Sequence, residues 1–345
     1  MEIVRTLRLV SLALGASLAA CAAPQRHEFE DAAMGTRFRI VLYASDAMQA
    51  ERAARAAFER VKELDRLLSD YRDDSEAARV SGASGSGEFT VVSTDTWRVL
   101  ALSQSFAELS DGAFDPTVGP VVALWRRARR QGEVPDDARL SEALGRVGWR
   151  ELELDAATRA ARLARSGMKL DFGGIAKGYA LDAALDELAR HGVDRALVDG
   201  GGDVAVRRAP PGRAGWAVTV RPFSDESAEL TLQLVNEAVA TSGDAYQALE
   251  LDGARHSHIV DPRTGRALTT RTSASVIASD GASADALATA LCVLGPREGL
   301  ELAYRAAVDA RVARELADEI ESRATAGFDA RILSFPAAPA PSGAP

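Results

Sequence analysis

The stretch Met168 to Asp182, M-K-L-D-F-G-G-I-A-K-G-Y-A-L-D, constrains this chain most. Met168 to Phe172 reads as a short buried strand. Gly173 and Gly174 follow, where the backbone can turn tightly and a ligand can come close. A helix then opens, with Ile175, Tyr179, Asp182 and Ala183 at spacings of three and four. The N–H groups at such a helix start have no partner within the helix and suit an anion. Asp171 before the turn and Lys177 after it add one charge of each sign. The pattern is neither a Walker loop nor a G-x-G-x-x-G turn. A plain strand-to-helix connection around a packed glycine is the competing reading.

The 345 residues allow one large domain or two ordinary ones, and 47% hydrophobic residues can fill a core. A net charge of −9 leaves no basic footprint for nucleic acid. The chain opens with Arg5 and Arg8, an apolar run from Leu9 to Ala20, and the sequence L-A-A-C ending at Cys21. The run is too short to cross a membrane as a helix. Residues 1–20 are expected to be a lipoprotein signal peptide, with Cys21 the lipidated first residue of the mature chain. A plain secretory signal is the alternative. Either way the protein is expected to be exported, and with the lipid it is a membrane lipoprotein facing the periplasm. No aspartate follows the cysteine, which favours an outer-membrane anchor in a Gram-negative cell.

Residues 21–31 read as a linker, 32–335 as one domain and 336–345 as a disordered Pro/Ala/Gly/Ser tail. Phe29 to Tyr43 has strand character, and Asp46 to Leu68 repeats apolar residues at helical spacing. Ser93 opens a helix to about Ser110. Residues 151–163 form a hairpin. Strands follow at 196–199, 216–220, 230–235, 238–244 and 273–278. A helix from Ala284, capped by Ser283, should stop at Gly295-Pro296. The Ala-rich, charged stretch Glu298 to Arg323 reads as helix, and Arg126 to Arg130 as a solvated basic face. Clustered strands between helices predict an α+β fold, with antiparallel sheets and packed helices.

Asp285 and Thr289 lie four residues apart and share a helix face. Both offer oxygen to Mg²⁺. Taken alone, Thr289 reads more simply as bonding back to a carbonyl.

The motifs M-G-T, S-D-Y-R-D-D-S-E, D-G-A-F-D-P-T-V-G-P, L-D-F-G-G-I-A-K-G-Y-A-L-D, D-G-G-G-D, A-T-S-G-D, S-H-I-V-D-P-R-T-G and A-D-A-L-A-T-A-L occur in that order from Met34 to Gly295. This set resembles the ApbE family of FAD:protein FMN transferases. The resemblance implies FAD as substrate, Mg²⁺ as cofactor, and transfer of the FMN half to a threonine hydroxyl of a partner protein with release of AMP. The implied flavin contacts are Met34, Tyr71, Ala113, Phe114, Asp115, Asp171, Lys177 and Ile259. The implied metal ligands are the Gly174 carbonyl, Asp285 and Thr289, and His258 is the implied catalytic group. The implied partners are flavin-accepting subunits of membrane redox complexes of the Nqr and Rnf types. The chemistry agrees: Tyr71, Phe114 and Met34 can cover a flat ring, and a bound cation can neutralise phosphate oxygens. The acceptor's proton would go to His258, Asp244 or Asp261. Two other functions keep the same site: an FAD pyrophosphatase giving FMN and AMP, and a flavin-binding lipoprotein without chemistry. One departure stands out. Ser81 occupies a place where the family usually carries asparagine, and it lacks the amide's paired donor and acceptor.

Overall fold

The computed structural model describes residues 23–223, 229–243, 248–251, 254–316 and 319–334. The leader with Cys21, the tail from Pro336, and Asp244 lie outside the described residues. The chain begins with two paired strands, β1 (Gln25–Ala33) and β2 (Thr36–Ala44), turning at Met34-Gly35. Most of the expected linker is therefore strand. Its charged residues Arg26, Glu28 and Glu30 occupy the exposed side of a period-two alternation.

Next come α1 (Ala47–Leu68), α2 (Glu76–Gly82), β3 (Thr90–Val91), α3 (Thr94–Leu109), α4 (Gly119–Gln131) and α5 (Asp137–Leu144). A hairpin of β4 (Leu152–Asp155) and β5 (Ala160–Leu163) precedes α6 (Ala176–Arg190). Then follow β6 (Ala196–Gly200), β7 (Asp203–Val206), β8 (Trp216–Val220), β9 (Leu230–Leu234), β10 (Glu237–Gly243), β11 (Ala248–Leu251), β12 (Ala254–Ser257) and β13 (Thr272–Ala278). The chain closes with α7 (Gly281–Arg305), β14 (Asp309–Leu316), β15 (Glu319–Ala324), α8 (Ala326–Ala330) and β16 (Ile332–Ser334).

An eight-stranded sheet in the order β1-β2-β6-β7-β10-β13-β14-β15 forms the frame, and every neighbouring pair is antiparallel. Alternation along β2 builds both faces of it. Phe38, Ile40 and Leu42 enter a core shared with α1, α3, α6 and α7, while Val41 joins the opposite core. That second core lies against the three-stranded sheet β16-β9-β8, through Trp216, Val218, Leu232 and Leu234. The helix α1 buries Ala50, Ala53, Ala57, Val61, Leu64 and Leu68, the stripe that its sequence spacing predicts. The expected α+β fold with antiparallel sheets and packed helices is the one observed.

Three local expectations fail, each for a physical reason. Met168 to Phe172 is buried but is not a strand. It has a single bridge, Lys169 with Val118, and its backbone bonds instead to Pro116 and Ser81. The helix α7 is capped by Asp280, whose carboxylate accepts from Ser283 N, and it runs past Pro296 through a kink at Gly295 (φ 79°). Beyond Arg305 the Ala-rich stretch turns into the hairpin β14–β15. Pairing of β14 with β13, and burial of Ala310 and Val312, outweigh its helical composition.

Candidate active site

Two helices meet at unusually short range to make the floor of the site. Gly178 of α6 lies so close to Gly281 of α7 that a Cβ on Gly178 would overlap the Gly281 carbonyl oxygen. Only glycine admits this approach, and it brings the start of α6 against the side of α7. The first turn of α6 has no side-chain cap. Asp285 of α7 takes that part instead, its Oδ2 accepting from Gly178 N at 3.0 Å.

Lys177 Nζ faces two buried carboxylates, Asp203 in direct contact and Asp285 Oδ1 at 3.8 Å. Asp203 is itself fixed, because its Oδ1 accepts from Thr241 N at 3.1 Å. Burial pushes the Asp285 carboxyl up to about 6, with Lys177 drawing it down and Asp203 adding to the rise. Burial alone would lower Lys177, but the two carboxylates outweigh it and hold the ammonium well above its ordinary range. The floor is thus a closed set of opposite charges.

Gly174 meets Thr289 beside them. A Cβ on Gly174 would lie 2.7 Å from Thr289 Oγ1, so this backbone and this hydroxyl share one spot. Ser242 Oγ lies 3.2 Å from the same hydroxyl. One carboxylate, one hydroxyl and a glycine backbone, all oxygen donors, are a set that could hold a Mg²⁺ ion.

The opposite wall is built from residues distant in sequence. Asp115 is buried, and its carboxylate accepts from Thr117 N, Thr117 Oγ1 and Trp149 N. Burial raises its pKa against those bonds. With its carboxylate engaged in this way, Asp115 fixes the turn that presents Ala113 and Phe114. Asp171 accepts from Gly173 N at 2.8 Å and from Arg126 Nη2 at 3.2 Å, and so joins the glycine turn to α4. Burial, then the nearby Asp70, raise its carboxyl pKa, with Arg126 opposing. Arg126 also pairs with Asp70, and its guanidinium stacks 4.3 Å from the ring centre of Tyr71. Tyr71 is otherwise 77% exposed, an open aromatic face on the cleft.

His258 lies on the loop after β12. Ser257 Oγ accepts from Ile259 N, and Val260 bridges Ala267. This loop rests on α4: Trp125 stacks on His256 and donates its indole N–H to the Gly265 carbonyl at 2.9 Å. Asp261, one of the carboxylates considered as a base, is held by the Arg263 guanidinium through two contacts of 2.9 Å.

Floor and wall enclose a cleft of about 760 Å³. Tyr71, Ala113, Phe114, Asp115, Asp171, Gly174, Lys177, His258, Ile259, Asp285 and Thr289 all line it. Met34 does not line it, whereas its neighbours Thr36 and Arg37 do. Met34 adopts φ 50°, packs partly into the core, and donates its N–H to Asp65. Ser81 keeps a loop contact, with its hydroxyl donating to Ala77 O and accepting from Leu170 N.

The sequence profile of the ApbE family matches residues 34–312. The chain belongs to the ApbE family. It is 36% identical to the FAD:protein FMN transferase of Treponema pallidum over 279 residues, which is 76% of this chain and 77% of that one. It is 31% identical to that of Vibrio cholerae, over 86% of this chain and 90% of the relative. Among solved structures, flavinyl transferase ApbE of Pseudomonas stutzeri, in its apo form, superposes with a TM-score of 0.80 at 29% identity, covering 92% of this chain and 98% of that one. Flavin transferase ApbE from Vibrio cholerae gives 0.79 at 28%, covering 89% and 99%.

Three cleft residues of this ApbE chain escape the sequence reading. Asp203 sits in the quoted D-G-G-G-D run without an assigned part. Arg126 and Arg129 fall in the stretch read as a solvated face. Their signal is the spacing of Val121, Trp125 and Ala128, which α4 buries and which turns both arginines to the cleft.

Proposed function

We propose that this protein is an FAD:protein FMN transferase, moving the FMN half of FAD to a threonine hydroxyl of a partner protein in a Mg²⁺-dependent reaction. The observation that carries this reading is a single cleft holding both kinds of group the reaction needs. An oxygen-rich floor of Asp285, Thr289 and Gly174, with the Lys177 ammonium among its carboxylates, shares the cleft with the aromatic rings of Tyr71 and Phe114 and with His258.

In this reading Gly174, Asp285 and Thr289 would hold the metal, and its chemistry when bound would be to neutralise charge on the pyrophosphate oxygens. Lys177 faces the same phosphates from α6. The incoming hydroxyl oxygen forms a bond to the FMN phosphorus, the bond to the AMP phosphate breaks, and the hydroxyl proton passes to a base. We assign that part to His258, which lines the cleft where Asp261 does not.

The leader adds a location. Lipid on Cys21 would anchor the enzyme to a membrane with its catalytic domain in the periplasm, where flavin-accepting subunits of Nqr- or Rnf-type complexes present their threonines. Among the described residues, no helix is long and apolar enough to cross a membrane.

Co-expression with a candidate acceptor subunit, followed by intact mass measurement, tests the transfer. The acceptor should gain one FMN, and its Thr→Val form should gain none. Rapid release of FMN and AMP from FAD and Mg²⁺ without an acceptor, with no mass gain when one is added, would replace transfer by hydrolysis.

A further inference from the structure

Among the described residues, nothing answers the cation Arg129. It lies three residues from Arg126 on the same face of α4, and both line the cleft. Arg126 is matched by Asp70 and Asp171. Arg129 makes no hydrogen bond or ion pair among the described residues, and its Nη1 is buried without a partner. Burial, then the like charge of Arg126, lower its hold on the proton, and Tyr71 opposes them weakly.

Native proteins keep few buried polar atoms unpaired, because each one forfeits hydration without return. A half-sunk guanidinium beside a second guanidinium is a stronger case. Relief has to come from the cleft side, where Arg129 is open. The groups around it narrow what could supply relief. Val118 and Val122 precede the two arginines along the lining face of α4, and Tyr71 faces the same space. A ligand seated here meets an apolar and aromatic surface first and a cation at its edge. The phosphate-binding groups are at the floor, around Lys177 and Asp285.

We propose that Arg129 binds the carbonyl-bearing pyrimidine edge of an isoalloxazine ring. This rests on the reading of the cleft as a flavin site. The ring's body is flat and apolar, and this edge carries two carbonyl oxygens and two ring nitrogens. A guanidinium can donate two parallel N–H groups to such an edge. Negative charge gathers on the same edge when the ring is reduced, so Arg129 also favours the reduced flavin.

The test titrates the full-length protein and its Arg129→Met and Arg129→Lys forms with FAD and with ADP, each with Mg²⁺. Arg129→Met should bind FAD about ten- to a hundred-fold more weakly, the loss typical of a charged hydrogen bond. ADP, which lacks the ring, should bind all three forms alike. The Lys form should fall between for FAD. FAD bound to the Met form should be harder to reduce. Apo Arg129→Met should melt no lower than wild type, because an unpaired charge is gone.

Equal FAD affinity in wild type and Arg129→Met would overturn the proposal. An equal loss for ADP would assign Arg129 to phosphate instead, and a lowered apo melting point with loss of both ligands would make its role structural. A wild type that binds FAD without transferring FMN would refute the transferase reading and leave this proposal standing. A wild type that binds no FAD would refute both.

Discussion

The floor and the wall of the cleft are built on different principles. In the floor, Gly178, Lys177, Asp203, Thr241 and Asp285 satisfy one another with no ligand present. Lys177, Gly178 and Asp285 come from two helices locked by backbone contact, and Asp203 and Thr241 from β7 and β10. In the wall, α4 carries Arg126 and Arg129, Tyr71, Phe114 and His258 come from three other segments, and Arg129 stays unmatched among the described residues. A pre-paired floor can hold a metal and phosphates in one geometry, as group transfer demands. A wall with an open ring and an unpaired cation is completed by its ligand. On the proposed reading, metal and phosphate are held by the prearranged floor, while the wall supplies ring recognition and the proton acceptor.

Removing the carboxylate of Asp285 should have the largest effect. Asp285→Ala deletes the only charged member of the proposed metal set and the acceptor of Gly178 N–H. Transfer should fall about a thousand-fold, as expected when several kcal/mol of electrostatic stabilisation are lost. FAD should still bind through the wall. Activity measured against Mg²⁺ concentration decides this. An Ala form with normal activity and normal Mg²⁺ dependence would remove the metal from the floor and dissolve the contrast.

The second test is structural. Gly178→Ala would force α6 and α7 apart, since the new methyl meets backbone that cannot move aside. Destabilisation of about 3 kcal/mol, at the upper end for overpacking, should appear in urea unfolding. Gly82→Ala, which meets open space and no positive φ, provides the control. An undiminished unfolding midpoint for Gly178→Ala would show that the helix contact is not what holds the floor.

The two regions also differ in how far sequence reveals them. The floor comes from local patterns. The turn Gly173-Gly174, Lys177, and the pair Asp285/Thr289 each lie within one element, and helical spacing alone puts the pair on one face. The wall is long-range. Arg126 meets Asp171 across 45 residues and Asp70 across 56, and no periodicity carries such a pairing. The basic run Arg126 to Arg130 hides an amphipathic helix, because its apolar stripe of Val121, Trp125 and Ala128 is thin. Met34 is a different case: the motif match implies a flavin contact, and the backbone turn at Met34 and its bond to Asp65 hold it beside α1, outside the lining of the cleft. In the fold at large, antiparallel sheet and packed helices follow from the clustering of strand patterns. Strand β14 does not, because pairing with β13 is a tertiary effect that composition cannot express.

The floor should respond to pH from behind. Asp182 of α6 accepts from Gly281 N and Ala282 N and so caps the start of α7. Burial raises its pKa to about 7 in spite of these two bonds. A folded value above the unfolded 3.8 means that the native state holds the proton more tightly. Stability from this group is therefore full below about pH 4 and is lost as pH rises toward 7. The melting temperature should drop by several degrees across that window from this group, at roughly 2–4 °C per kcal/mol in a domain this large. Asp182→Asn should flatten that slope. A slope unchanged in the Asn form would place the charge sensitivity elsewhere.

The smallest effect, and the sharpest test of the wall, belongs to Trp125. Its indole N–H is the donor to the Gly265 carbonyl, and its ring lies 5.3 Å from that of His256. Trp125→Phe keeps an aromatic ring but loses that donor and some volume. The lost hydrogen bond costs about 1 kcal/mol, and Gly265 O can turn to water if the loop gives way. Neither Trp125 nor His256 lines the cleft, so the FAD dissociation constant should stay within about two-fold of wild type. What changes is the placement of His258 two residues from His256, and the turnover rate should fall roughly ten-fold for a misplaced proton acceptor. A drop in kcat at constant FAD affinity would show that α4 organises the catalytic loop as well as the ring site. An equal loss in both would mean that loop and ring site move as one body, and the division between a fixed floor and an adjustable wall would have to be drawn through α4 itself.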